Sequence, residues 1–300
     1  MRAYDTFPAV LDLITAGEAF DDFVFHGLDR LPRAGEELKT AGFARSPGGG
    51  AVITAVAAAR LGVRAAALTG IGSDAVRLLR RERVRVYNLR RASEPTAMTV
   101  ALSTRKDRSF VTFNGMNDSL PGRIHQKLPR ISARHVHFAF HPSPCRPWIA
   151  ALDALRRRRI ATSWDFGWNP GLARDPHFWK LTDAVDYVFL NRDEALCYAR
   201  ARTLGAAFER WRRTHGLAIV KLGAGGSRAV GRDVDLRTAA PHVRAVDTTG
   251  AGDAFNAGFL AGRLRGQGLR ASLALANRVG AWSTRAAGGI AALPTLKDVW

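Results

Sequence analysis

Residues Val246 to Phe259 read Val-Asp-Thr-Thr-Gly-Ala-Gly-Asp-Ala-Phe-Asn-Ala-Gly-Phe. Asp247, Thr248 and Thr249 are turn and cap residues, and Gly250, Ala251 and Gly252 keep bulky side chains off the backbone. A helix-like run follows, with Ala254, Ala257, Gly258, Ala261 and Leu264 along it. A small-residue turn feeding a helix gathers unpaired N–H groups at the positive end of the helix dipole, a place suited to an anion. Asp253 stands at the mouth of that place. A carboxylate beside an anion hole is unfavourable unless it has a task. The task that fits is taking the proton of a hydroxyl that attacks phosphorus. The plainer alternative is a glycine-rich turn that caps a helix.

The combined pattern Asp-Thr-Thr-Gly-Ala-Gly-Asp-x-Phe resembles the C-terminal signature of the ribokinase-like (PfkB) carbohydrate kinase family. The resemblance extends over roughly residues 11 to 295. It implies that the amides of Gly250, Ala251 and Gly252 form the anion hole and that Asp253 is the catalytic base. It also implies ATP and Mg²⁺ as cofactors. A monovalent cation such as K⁺ is often used beside the anion hole in this family, and Asp247 and Thr249 match its usual ligand region.

Other segments carry the same resemblance. The apolar run Leu11 to Ala16 reads as a buried strand and ends at Gly17. Asp22 then matches the family aspartate that binds substrate hydroxyls; one carboxylate accepting two hydroxyls would both hold and orient a sugar. Ser46-Pro47-Gly48-Gly49-Gly50 precedes a helix over about 51–61, and the resemblance places Gly48 and Gly49 against the sugar. Ile53 stands where the family usually has a substrate-positioning Asn, and Gly50 where sugar kinases commonly have Lys. Asn191-Arg192-Asp193-Glu194 matches the family's Asn-x-x-Glu, which is associated with phosphate and with Mg²⁺ held largely through water. A capped helix start would explain Asn191 and Glu194 equally well. Lys221-Leu222-Gly223 through Gly226 resembles the nucleotide loop, with Lys221 in a threonine's place, where it either adds charge near the phosphates or points to solvent. Asn277 falls where the family has an adenine-contacting Asn. Asp165 matches the Asp of a family Asp-x-Asn, and the aromatics around it, Trp164, Phe166 and Trp168, either line a pocket or pack the strand end.

The elements that position these residues alternate between strands and helices. Strands are expected over 64–70, 134–141, 159–166, 184–190 and 218–222, and a small-residue helix over 271–287. Four further strands break the alternation, at 23–28, 37–43, 97–103 and 109–114, the last two joined by the charged turn Arg105-Lys106-Asp107-Arg108. The resemblance makes them a small β-sheet lid, drawn from about 23–45 and 97–114, over the sugar site. The expected fold is a single ribokinase-like α/β domain over 1–300, a three-layer α/β/α sandwich with a mainly parallel central sheet and a lid. His135 and His137 share one strand face, but no third ligand lies nearby in sequence, so partly exposed strand-end histidines are expected there.

The chain has 300 residues, 47% of them hydrophobic, and a formal charge of +19. Lysine occurs only at positions 39, 106, 127, 180, 221 and 297, so arginine supplies nearly all of that charge. No basic stripe is interleaved with aromatics, which argues against nucleic-acid binding as the main role. No apolar run is long enough to span a membrane, and no signal peptide is evident. Two cysteines, Cys145 and Cys197, give no disulfide framework and suit a reduced, cytoplasmic setting. Lid strands with open edges could pair in a homodimer. The absence of a Walker A run, of a dinucleotide fingerprint and of Gly-x-Ser-x-Gly removes three other enzyme classes. The reading is ATP-dependent phosphorylation of a sugar-like hydroxyl. A nucleoside kinase or phosphosugar kinase of the same superfamily, or a non-catalytic sugar-binding protein on this fold, are the alternatives.

Overall fold

A computed structural model describes residues 11–104 and 108–299. Nine strands form the central sheet: β1 (Leu11–Gly17), β4 (Ala65–Thr69), β5 (Arg85–Asn88), β8 (Ala133–Ala139), β9 (Ala161–Asp165), β10 (Tyr187–Asn191), β11 (Leu217–Lys221), β12 (Ser227–Gly231) and β13 (Val234–Thr238). Their order is β13-β12-β11-β10-β9-β8-β1-β4-β5, parallel from β11 through to β5, with β12 and β13 added antiparallel at one edge. β5, β12 and β13 are absent from the sequence expectations. The edge strands β5 and β13 expose polar residues, as edge strands tolerate, and β12 lies inside β13 with most of its residues buried.

Alternation along each strand builds two cores. Leu13, Ala65, Ala67, Phe189 and Ile219 face one side of the sheet; Ile14, Ala66, Val188, Leu190, Ala218 and Val220 face the other. The first side is covered by α1 (Gly50–Arg60), α2 (Ser73–Arg81), α8 (Ala251–Leu264), α9 (Leu269–Ser283) and α10 (Leu296–Val299). The second is covered by α3 (Leu120–Lys127), α4 (Arg146–Arg157), α5 (Phe178–Asp183), α6 (Arg192–Ala199) and α7 (Leu204–Trp211). The result is the expected three-layer α/β/α fold. Trp164 and Phe166 belong to the second core: Trp164 stacks on Phe138 at 4.5 Å and its indole N–H donates to Phe140 O. They pack the strand end, while Trp168 is exposed.

A separate four-stranded sheet has the order β3-β2-β6-β7, from β2 (Phe20–Leu28), β3 (Gly42–Gly48), β6 (Met98–Thr104) and β7 (Arg108–Phe113). The strand expected at 37–43 lies instead at Gly42–Gly48. Residues before it are held in a loop, with Glu36 accepting from the Arg33 amide at 2.9 Å and pairing with Arg30, and Thr40 Oγ1 donating to His26 O. The expected tip residues Arg105, Lys106 and Asp107 lie outside the described residues, and so does the Arg108 side chain.

His135 and His137 correct another expectation. Both are buried rather than partly exposed, and each has a ring nitrogen 2.8 Å from Ser163 Oγ. Desolvation pushes them down to about 3 and about 4, so both are neutral at physiological pH.

Candidate active site

The C-terminal ends of β1, β8, β9, β10 and β11 point to one edge of the central sheet, where α1, α6 and α8 begin. In a parallel sheet this is where ligands gather. Gly17 closes β1, and two residues later the chain enters β2 of the lid. Asp22 therefore stands on the lid near the sheet end, while Asp253 lies in the first turn of α8 on the body of the protein.

The turn between β3 and α1 joins these two carboxylates. A Cβ on Gly48 would overlap Oδ2 of Asp22, and one on Gly50 would lie 3.1 Å from Oδ1 of Asp253 and 2.9 Å from Ala139 Cβ. Gly49 between them adopts φ 91°, and a Cβ there would come within 2.5 Å of Glu18 O. All three glycines are thus needed for space, and Gly49 for conformation as well. Burial and the neighbouring Asp21 push the Asp22 carboxyl up to about 7. Asp253 is also pushed up to about 7, by desolvation first and then by Asp165, against the opposing pull of Lys221. Neither carboxyl has a side-chain hydrogen bond among the described residues, so both are available to a substrate. Glu18, not expected from sequence, is a third half-buried carboxyl at the end of β1, raised to about 7 by burial and by Asp118.

Gly250 caps α8 with φ 73°, and a Cβ on it would lie 2.8 Å from Ile53 Cδ1 and 3.2 Å from Gly289 Cα. Ile53 is buried at 2% exposure and packs against the Gly250 and Gly289 backbone. It fills the space behind the α8 turn with hydrocarbon. Of the amides expected to form the anion hole, that of Ala251 donates to Thr248 O at 3.2 Å. The amides of Gly250, Gly252 and Asp253 have no backbone acceptor outside the helix among the described residues. The Asp247 carboxylate ties the flanking loops together: Oδ1 accepts from the amide and hydroxyl of Thr249 and Oδ2 from the Gly288 amide.

The nucleotide-side residues divide. Asn191 and Glu194 form a reciprocal capping box on α6: Asn191 Oδ1 accepts from the Glu194 amide and Glu194 Oε2 from the Asn191 amide, both at 2.8 Å. Glu194 is nonetheless buried and pushed up to about 7, by desolvation and by the negative charge of Asp165. Gly223 has φ 58° and open space where a side chain would be, which leaves its loop backbone accessible. Gly226 is needed for another reason, since a Cβ there would come within 2.8 Å of Ala239 Cα. Asn277 is buried and braces the same region, its amide donating to Ser227 Oγ, Thr238 O and Ala239 O.

Lys221 does not point to solvent. Its ammonium donates to Asp165 Oδ2 at 2.7 Å and to Asn256 Oδ1 at 3.4 Å, and a Cβ on Gly252 would lie 3.1 Å from Nζ. Asn256 donates in turn to Asp165 Oδ2 at 2.8 Å. Desolvation works against both charges, but their mutual attraction prevails, holding the Asp165 carboxyl below and the Lys221 ammonium above their usual values. The sequence signal for Asn256 is a polar residue one turn beyond Asp253, flanked over 254–259 by Ala, Phe and Gly alone.

The family model for pfkB family carbohydrate kinases matches residues 12–296. A fructokinase from Klebsiella pneumoniae is 30% identical over 284 residues, covering 84% of this chain and 90% of that protein. A probable fructokinase-2 from Arabidopsis thaliana is 28% identical over 312 residues, covering 94% and 93%. In fold, the chain is similar to the crystal structure of a ribokinase from Cryptococcus neoformans var. grubii serotype A in complex with ADP, with TM-score 0.77, 21% identity and coverage of 97% and 99%. The chain belongs to the pfkB family of carbohydrate kinases. It is an enzyme of the class that transfers a phosphoryl group to an alcohol.

Proposed function

We propose that this kinase transfers the γ-phosphoryl group of ATP to a hydroxyl of an uncharged sugar, with Asp22 holding the acceptor and Asp253 taking its proton. The observation that carries this reading is the pair of unpartnered carboxyls set against opposite ends of the Gly48–Gly50 turn. A carboxyl displaced to about 7 is matched to proton acceptance near neutral pH. The free amides of the α8 turn, aligned with the helix dipole, would stabilise charge on the phosphoryl oxygens. Gly48 and Gly49 would let the acceptor approach the backbone. Of Arg45, Arg105 and Arg108, which suggest a phosphosugar, only Arg45 has a described side chain, and it is occupied: it pairs with Asp21 at 2.9 Å, lies over Phe23, and alternates to the lid face opposite Asp22, which favours an uncharged acceptor. The relatives named fructokinase point to a ketose as the first acceptor to try.

Magnesium belongs to the same proposal. Glu194 is a buried carboxylate beside Asp165 with one oxygen committed to its helix cap, a donor suited to holding hydrated Mg²⁺ through water, and the bound ion would offset charge on the phosphates. Among the described residues no group of three or more His, Cys, Asp or Glu is arranged to hold a metal directly. Lys221, Gly223, Gly226 and Asn277 would shape the nucleotide side, the last two as braces. A monovalent cation would act beside the anion hole, where Asp247 and Thr249 order the loops. The exposed Phe110, Val111 and Phe113 on edge strand β7 support a lid-to-lid dimer, which sedimentation would check. Among the described residues no helix is long and apolar enough to cross a membrane.

The test is ADP release from Mg-ATP with fructose, ribose, fructose 6-phosphate and adenosine, with and without K⁺, beside Asp253→Asn. Turnover on an uncharged sugar that collapses in the variant supports the reading. Turnover confined to the phosphosugar or the nucleoside moves the acceptor class, and an active Asp253→Asn removes the base.

A further inference from the structure

We propose that Asp165 and Asn256 are positioning residues that hold the Lys221 ammonium against the Gly252 backbone, and that the charges of this Asp165–Lys221 pair tune the pH at which Asp253 gives up its proton. The catalytic consequence rests on the reading of Asp253 as the base; the electrostatic claim does not. Three elements converge to make the arrangement. β9 brings Asp165, β11 brings Lys221, and α8 brings Asn256 one turn beyond Asp253. Lys221 spends two of its three N–H groups on Asp165 and Asn256, and Asn256 closes the triangle onto Asp165. The ammonium cannot swing away without stranding a buried carboxylate.

The charged groups facing Asp253 are Asp165 on β9, Lys221 on β11, Glu194 on α6 and Asp22 on β2. Lys221 is the cation of that set; the other three are acids. Removing Lys221 leaves Asp253 among uncompensated negative charge. Removing the Asp165 charge leaves it beside an unopposed ammonium. The two changes must therefore move Asp253 in opposite directions, which a purely structural brace would not do.

Urea-unfolding midpoints, taken from about pH 4 to about pH 8.5, test this without a substrate. Wild type, Asp165→Asn, Lys221→Met and the double variant are each measured with and without Asp253→Asn. Within each pair the difference reports the titration of Asp253. Because its folded pKa lies above its unfolded one, the carboxyl loses stability relative to Asn as pH rises, and the loss levels off above the folded pKa. Levelling is expected near pH 7 in the native background. It should come at least about one pH unit lower with Asp165→Asn and higher with Lys221→Met, with the double variant between them. A levelling point that stays put while all midpoints drop overturns the proposal. If Lys221→Met does not fold, the Asp165→Asn pair decides alone. The acid limb of kcat/KM for fructose should move the same way at saturating Mg-ATP. An active Asp253→Asn would sink the base reading yet leave the unfolding result to stand by itself.

Discussion

Asp22 on strand β2 of the small sheet and Asp253 in the first turn of helix α8 meet across three glycines: Gly48 lies against the carboxylate of Asp22, and Gly50 lies 3.1 Å, measured from where its Cβ would be, from that of Asp253. The lid residue proposed to hold the acceptor and the body residue proposed to deprotonate it are thus spaced by backbone alone. Gly48→Ala would drive a methyl group into Asp22. The expected outcome is an acceptor KM raised by roughly tenfold, a change of about 1.4 kcal/mol, with the KM for Mg-ATP unchanged. Equal increases in both constants would show that the turn serves the fold and not the acceptor.

Asp253→Asn should lower kcat by about 10² to 10⁴ while acceptor affinity changes little, because the lost interaction exists only as the proton moves. Steady-state ADP release with fructose measures both quantities.

Acid should inactivate the enzyme well above the usual carboxylate range. Burial pushes the carboxyls of Asp22 and Asp253 up to about 7, so kcat/KM should rise with pH and level off above that point. Stability carries the opposite sign. A carboxyl raised above its unfolded value stabilises fully below the unfolded pKa and loses that contribution as pH rises through about 7. Asp22→Asn should therefore raise the urea midpoint at about pH 8 and leave it unchanged at about pH 4.

Ile53 packs against the backbone of Gly250 and Gly289. Restoring the family residue with Ile53→Asn would bury an amide in a space shaped for hydrocarbon. The cost should be about 2 kcal/mol, with no gain in sugar affinity. Calorimetry together with acceptor KM separates this from the outcome in which affinity improves.

Glu194→Gln keeps a side chain able to serve the capping box, so the melting temperature should hold while the Mg²⁺ concentration for half-maximal rate rises. Asn191→Ala should do the reverse, costing about 1 kcal/mol of stability through the lost helix cap.

Legibility in the sequence followed the range of the interactions. The Gly250–Asp253 turn, the central parallel strands and the existence of the lid were readable because each is encoded within a few neighbouring residues. Lys221 was not, because its direction is decided by Asp165 and Asn256, which are 56 and 35 positions away in the chain. His135 and His137 read as strand-end residues in sequence, whereas in the fold Ser163 on the adjacent strand partners both rings and Tyr187 and Phe189 pack against them. The start of β3 departs from the expected 37–43 for a related reason: Glu36 and Thr40 hold local loop contacts that hydrophobic alternation cannot reveal.

The crowded glycine turn also bears on how this enzyme could change its diet over evolutionary time. Gly48, Gly49 and Gly50 leave no room for a side chain, so substitution there is expected to weaken acceptor binding rather than to open a new preference. The register of the lid places Ser46, Asp22, Thr99 and Thr112 in one row on one face, with Thr99 and Thr112 joined hydroxyl to hydroxyl at 3.2 Å. Within that row Asp22 meets Gly48, whereas Thr99 and Thr112 stand on β6 and β7, away from the turn. If Asp22 holds the acceptor as proposed, drift in acceptor preference is expected at the two threonines, while the chemistry beside them stays fixed.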